Sequence, residues 1–192
     1  MQWTGQPSRS DEALLSDFAA GDGRAAETLT RRLAPRILAH AARMLGDRAE
    51  AEDVTQDALM RLWRVAPGWS EDGAKLTTWL YRVTANLCID RIRRRSSVET
   101  DEAVSDVADD HPGAEARLTD AARAEALQAA LLRLPPRQRQ AVVLRHLEGL
   151  SNPKIAAIMD IGVEAVESLV ARGKRALAGE LSPRKQALGY EA

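Results

Sequence analysis

The stretch Ala49 to Trp63, which contains the run AEDVTQDALMRLW, constrains the fold more than any other because it reads as a helix with two separate useful faces. At about 100° per residue, Ala51, Val54, Ala58, Leu59 and Leu62 share one side and form an ordinary core stripe. Asp53, Gln56, Asp57, Met60 and Arg64 share a second stripe that points away from the first, so two carboxylates, an amide and an apolar thioether meet the solvent together. One alternative is a solvated acidic face with a stray methionine; the other is a partner-binding face.

At 192 residues the chain is long enough for one domain or two small ones, and 45% hydrophobic with 29% charged residues describes a globular protein. Three of the four tryptophans, Trp63, Trp69 and Trp79, fall in one short span, which assigns the larger core to the first half. The one cysteine, Cys88, can form no internal disulfide, and no Cys/His cluster has zinc-ligand spacing. No metal or cofactor is expected, and a reducing cytoplasm is the expected compartment. The polar start around Ser10, Asp11 and Glu12 lacks the order of a signal peptide, and no apolar run approaches membrane-spanning length, so membrane insertion is not expected.

The formal net charge of −1 hides a segregation of signs. Between Arg82 and Arg95 five arginines (Arg82, Arg91, Arg93, Arg94 and Arg95) stand against one acid, Asp90. Between Ser96 and Ala122 eight acids stand against one base, Arg117. That acidic segment contains Pro112 and Gly113 and has little apolar periodicity, so an extended, self-repelling linker is expected there.

The rest of the chain reads as helices. Met1 to Ser10 is a loose tail; Asp11 to Ala20 and Arg24 to Leu45 show helical spacing, the second with Pro35 as an expected bend and Gly46 as its stop. Trp69 to Thr78 is a loop leading into a helix from Trp79 to Arg95. Leu76, Leu80, Val83, Leu87 and Cys88 face inward there, while Trp79, Arg82, Asn86, Ile89, Asp90 and Arg93 fall on another stripe. An aromatic, an amide and arginines on one stripe suit single-stranded nucleic acid, because bases stack on planar groups and cations follow the backbone. The plain alternative is that Trp79 is core and the arginines are solvated.

Periodicity resumes near Leu118 and runs to Pro135 and Pro136, and a helix follows from Arg137 to Glu148, with Ala141, Leu144 and Leu147 inward. Ser151 to Leu177 then gives a short helix capped by Ser151, a turn at Asp160 to Gly162 and a longer helix, the pattern of a helix-turn-helix. Ile155, Ile158, Val166, Val170, Gly173 and Leu177 lock the pair, leaving Glu164, Glu167, Ser168, Ala171, Arg172 and Arg175 outside. A helix so presented fits a duplex major groove, with Arg172, Lys174 and Arg175 near its end attracting phosphates. Its two glutamates keep a plain helical hairpin open as the other reading.

The expected fold is therefore all-α, two small helical domains joined by an acidic linker, the second a helix-turn-helix. The expected boundaries are a tail over 1–10, the first domain over 11–96, the linker over 97–120, the second domain over 121–180 and a tail over 181–192.

Taken in order, AEDVTQDALMRLW, TTWLYRVTANLCIDRIRRR, LPPRQRQAVVLRHLEGLS and the final helix-turn-helix resemble a bacterial RNA polymerase sigma factor of the extracytoplasmic-function type. The resemblance covers nearly the whole chain between the tails, and the combination and order of motifs are specific where each alone is weak. It implies a sigma-2-like first domain whose Asp53, Gln56, Asp57 and Met60 bind core RNA polymerase. It implies that Trp69, Lys75, Trp79, Arg82, Asn86 and Arg93 hold the single-stranded minus-10 element, Asn86 and the Trp69 to Leu76 loop embracing an extruded base. Flipping a base costs a few kcal/mol of stacking, which a shaped pocket offsets. It implies further a sigma-4-like second domain reading duplex minus-35 DNA through Glu167, Ser168, Ala171, Arg172, Lys174 and Arg175, a linker in polymerase's basic channels, an anti-sigma factor as a second protein partner, and a role in a stress response.

Three departures from the family pattern matter. Lys154 stands where the family has an acid, removing the capping box of Ser151. The usual Thr-Val-Lys opening of the recognition helix reads Ala165, Val166, Glu167, and the usual arginine two places later is Leu169. Weaker phosphate anchoring and an unusual minus-35 sequence are expected, with Glu167 accepting from a cytosine amine. A stand-alone helix-turn-helix regulator is the rival reading, but it leaves Asp53, Gln56, Asp57 and the acidic linker without a purpose. A helical anti-sigma or adaptor protein is another. An enzyme is not expected, because His40, His111 and His146 are scattered singly and no phosphate loop or nucleophile arrangement is visible.

Overall fold

The computed structural model describes residues 9–70, 75–98 and 115–184, and among them every regular element is helical. Helix α1 (Asp11–Ala19) is opened by Ser10, whose hydroxyl accepts from the Ala13 amide. Helix α2 (Gly23–Leu45) is capped by Asp22 and closes on Gly46, at a left-handed φ of 71° that favours glycine. It runs through Pro35 without a break. The proline ring removes one backbone bond to the Arg31 carbonyl, and both residues are exposed, so water can replace it.

Helix α3 (Arg48–Val65), capped by Asp47, ends in a 3-10 turn at Ala66–Gly68, and α4 (Leu76–Val98) completes the first group. The second group is α5 (Glu115–Arg133), α6 (Pro136–Val142), α7 (Asn152–Met159) and α8 (Val163–Leu181). The helix expected over Arg137 to Glu148 is α6 followed by a π turn at Val143–Leu147, with Pro136 in its first turn. The turn between α7 and α8 is made by Asp160 at a positive φ of 54°, a conformation aspartate tolerates.

Of the expected linker, residues 99–114 lie outside the described residues, while 97 and 98 end α4 and 115–120 open α5. Of the expected tails, 1–8 and 185–192 also lie outside, and Leu181 is the last residue of α8.

The principal core joins the two groups. Leu29, Leu62 and Leu80 from the first share one cluster with Leu144, Ile155 and Val166 from the second. Smaller clusters lie under α2, α3 and α4, around Met44, Val54 and Cys88, and between α5 and α6, around Leu131 and Val143.

This packing buries the C-terminus of α2, whose last four carbonyls have no partner inside the helix. The Ala42 oxygen accepts from the Gly46 amide, and Gln128 Nε2 of α5 lies 3.3 Å from it and 3.4 Å from the Arg43 oxygen. Arg139 of α6 donates to the Met44 oxygen and also to those of Leu132 and Leu134. Arg95 of α4 donates to the Leu45 oxygen at 3.1 Å. Beside this cap, Glu148 accepts from Arg43 at 2.6 Å and from the Tyr81 hydroxyl at 2.8 Å. Burial, followed by that carboxylate, pushes the Tyr81 phenol up.

His40 sits fully buried on α2, edge-on to Tyr81, with neither ring nitrogen paired. Burial, helped by Arg43, lowers its pKa from 6.5 to about 4. The native chain holds a neutral imidazole where the unfolded chain takes up a proton, so this stability is present above pH 6.5 and is lost as pH falls toward 4. Between pH 7 and pH 5 the wild type should lose roughly 2 kcal/mol more than His40→Leu in urea unfolding. Parallel pH slopes for the two proteins would contradict this.

Candidate functional site

The α3 stripe is presented as its periodicity requires. Ala51, Val54, Ala58 and Leu62 are buried, and Asp53, Gln56, Asp57 and Arg64 are exposed. Met60 is 50% exposed, the most exposed of the large hydrophobic side chains among the described residues. It stands with Gln56 on the rim of an apolar groove of about 540 Å³ between α2 and α3, lined also by Ala34, Leu38, Leu59 and Trp63. Trp63 is held there by an edge contact with Phe18 at 4.9 Å. Asp53 pairs with Arg91 of α4 at 3.4 Å.

On α4 the expected stripe divides. Trp79 is half-buried, packs on the principal core and meets Trp69 edge-on at 5.7 Å, so these two rings support each other at the border of the core. Lys75 and Asn86 are exposed, and Arg93 is exposed and pairs with Asp90 at 3.1 Å. Arg82 is engaged elsewhere: its guanidinium donates to the Ala157 carbonyl of α7, from Nε at 3.2 Å and from Nη2. Residues 71–74 of the loop expected to embrace a base lie outside the described residues.

On α8, Glu167, Ser168, Ala171, Arg172, Lys174 and Arg175 are all exposed, while Val166 and Gly173 are buried. Ser151 occupies the N-cap position of α7, but its side chain makes no capping bond, so the expected cap is one of position only, and Lys154 in place of an acid supplies no reciprocal bond. Asn152, which the sequence reading passed over, donates from Nδ2 to Glu167 Oε1 at 3.3 Å. The only local signal for it was its place next to Ser151, where it reads as a turn residue.

Three further observations bear on chemistry. Among the described residues no group of His, Cys, Asp and Glu could hold a metal ion, and no helix is long and apolar enough to cross a membrane. The buried Cys88 thiol is pushed up to about 12, so it stays protonated and unreactive at neutral pH.

Residues 29–98 match the Sigma-70 region 2 family and residues 124–177 match Sigma-70 region 4. The ECF RNA polymerase sigma factor SigM of Mycobacterium tuberculosis is 36% identical over 175 residues, spanning 91% of this chain and 86% of the relative. The chain belongs to the extracytoplasmic-function (ECF) sigma factors. SigE of Mycolicibacterium smegmatis is 34% identical over 79% of this chain, which spans 59% of that longer relative. CnrH, solved in complex with the cytosolic domain of CnrY, superposes with a TM-score of 0.66 at 27% identity, covering 91% of this chain and 99% of that one. RpoE of Bartonella quintana, solved with the anti-sigma factor NepR, gives a TM-score of 0.66 at 24% identity over 81% and 96% of the two chains and shares the fold. As an ECF sigma factor the protein acts with RNA polymerase on promoter DNA.

Helix α8 of this sigma factor depends on close approach at Gly173. A Cβ there would meet Val142 Cγ2 at 2.5 Å and the Gln138 carbonyl at 3.3 Å, and a helical valine has little rotamer freedom with which to retreat. Glycine to alanine inside a helix normally gains up to about 1 kcal/mol. Gly173→Ala should instead cost about 1–3 kcal/mol through overpacking. Denaturant midpoints at or above the wild-type value would show that α8 does not need this approach.

Proposed function

We propose that this ECF sigma factor seats on core RNA polymerase through the α3 stripe, Asp53, Gln56, Asp57 and Met60, and places α4 on the melted minus-10 strand and α8 on the minus-35 duplex. The observation that carries the reading is the exposed Met60 at the rim of an apolar groove, flanked by the exposed carboxylates of Asp53 and Asp57. An apolar knob ringed by charge suits a protein partner, because the thioether loses its water while the rim sets orientation. In the same reading Trp69 and Trp79 brace the pocket wall, Asn86 reads the extruded base, and Lys75, Arg82 and Arg93 follow the backbone. Arg172, Lys174 and Arg175 anchor phosphates while Glu167, Ser168 and Ala171 face the bases. An anti-sigma factor holds the free chain, as NepR holds RpoE.

Arg82 serves this role only after it leaves the Ala157 carbonyl, so promoter engagement requires α7 to move away from α4. Glu148→Gln, which removes the charge tying Arg43 to the second group, should raise the affinity of the free protein for single-stranded minus-10 DNA severalfold. Equal affinities, measured by fluorescence anisotropy, would count against that motion.

The seating itself is tested by the double substitution Asp57→Arg with Gln56→Ala. The variant should keep its helical circular-dichroism signal and lose binding to core polymerase by at least tenfold, and genome-wide mapping of transcript starts with the reconstituted enzyme should lose the sites that the wild type directs. Undiminished binding would remove this face from the mechanism.

A further inference from the structure

The contact between Asn152 and Glu167 crosses the helix-turn-helix, from the first residue of α7 to the second turn of α8. Asn152 Nδ2 donates to Glu167 Oε1 at 3.3 Å, while Asn152 Oδ1 is buried and has no partner. An amide with a buried, unpaired oxygen is at a disadvantage unless its other end makes a strong bond, and a carboxylate acceptor supplies one. Turning the amide over would set its oxygen against the Glu167 carboxylate, two acceptors at hydrogen-bonding distance. The orientation is therefore dictated by Glu167.

The chemistry of the partner matters. Glu167 takes part in none of the ion pairs among the described residues, although Lys154 and Arg172 are exposed on the same two helices. A lysine or arginine partner would neutralise the carboxylate and cover it. An amide fixes one oxygen and leaves the charge and the second oxygen available on an exposed side chain.

We propose that Asn152 is a positioning residue for minus-35 specificity, holding the Glu167 carboxylate so that its free oxygen accepts from a base amine in the major groove. The inference rests on the proposal above that α8 reads the minus-35 duplex. Cytosine is the base it selects. On its own ring cytosine offers its N4 amine with only the C5–H edge beside it in the groove, whereas adenine places N7 next to its amine, and guanine and thymine present acceptors that repel a carboxylate. A glutamate held in one rotamer enforces that ranking, whereas a swinging one relaxes it and leaves only general repulsion from DNA.

The test is a binding selection from duplexes randomised across the minus-35 region, using core polymerase reconstituted with full-length protein. Wild type, Asn152→Ala, Asn152→Leu, Glu167→Ala and Glu167→Gln are compared, Leu filling the space of the amide without a donor. The wild type should favour cytosine at one position by roughly tenfold. Both Asn152 variants should reduce that preference to about twofold at that position alone, and Glu167→Ala should abolish it, leaving the other positions unchanged. Full cytosine preference in both Asn152 variants would overturn the inference while sparing the Glu167 reading. Loss of preference at every position in both would assign Asn152 a structural role only and overturn it equally. No change on Glu167→Ala would show that Glu167 does not read the groove, a failure of the underlying reading that is distinct from the other two.

Discussion

The arrangement of the whole molecule depends on satisfying one helix end. The second group of helices packs over the end of α2, where Met44 and Leu45 are buried and Ala42 and Arg43 half-buried, and a buried carbonyl left unpaired costs about 1–3 kcal/mol. The donors come from Gly46, Gln128, Arg139 and Arg95, on four different segments of the chain. The partial negative charge of a helix C-terminus also favours the two guanidinium groups. Burial still acts on Arg139 and lowers its pKa, but its carbonyl partners on α2 and at the end of α5 compensate the lost water. Removing such a side chain leaves the carbonyls stranded, so the cap is harder to break than its individual bonds suggest.

The same helix connects the surfaces assigned to function. Ala34 and Leu38 of α2 line the groove beside Met60, and the carbonyls that hold the second group begin one turn after Leu38. A packed helix moves as a rod, since close-packed interiors transmit displacement instead of absorbing it. The groove and the cap thus lie on one helix, and beside the cap Arg43, Glu148 and Tyr81 join the two groups. Arg82 lies one residue beyond Tyr81 and is held by α7. In the proposed function, the groove that seats polymerase and the region that holds Arg82 are therefore linked through one element, α2.

How much of this the sequence revealed depends on whether a feature is local. The α3 stripe and the stop at Gly46 follow from spacing and side-chain chemistry within a few residues, and the structure carries them. Arg139 was not legible: in LPPRQRQAVV it looks like one more exposed cation, and only the distant end of α2 makes its burial tolerable. His40 and Glu148 are similar, because periodicity tells which face turns inward but not which polar group waits there. Trp79 was undecided between core and DNA, and it stands half-buried against Trp69 at the border of the core. The candidate α8 face was legible residue by residue, whereas the amide behind Glu167 required two helices to be brought together.

The charge order along α8 bears on how such a helix can discriminate. Glu164 and Glu167 occupy its first two turns, where the positive end of the helix dipole favours acids, and Arg172, Lys174 and Arg175 follow in its later turns. In the proposed docking on the minus-35 duplex, the later turns hold phosphates while the early turns repel them, so the helix is anchored at one end and tested at the other. A lysine at position 167 would add affinity for every sequence. A glutamate subtracts it from every sequence and returns it only where a base amine lies within reach, which widens the gap between right and wrong promoters at the expense of overall binding. An isolated DNA-binding protein would be poorly served by that exchange. A subunit already held on polymerase is not, because its local concentration at DNA no longer depends on its own affinity.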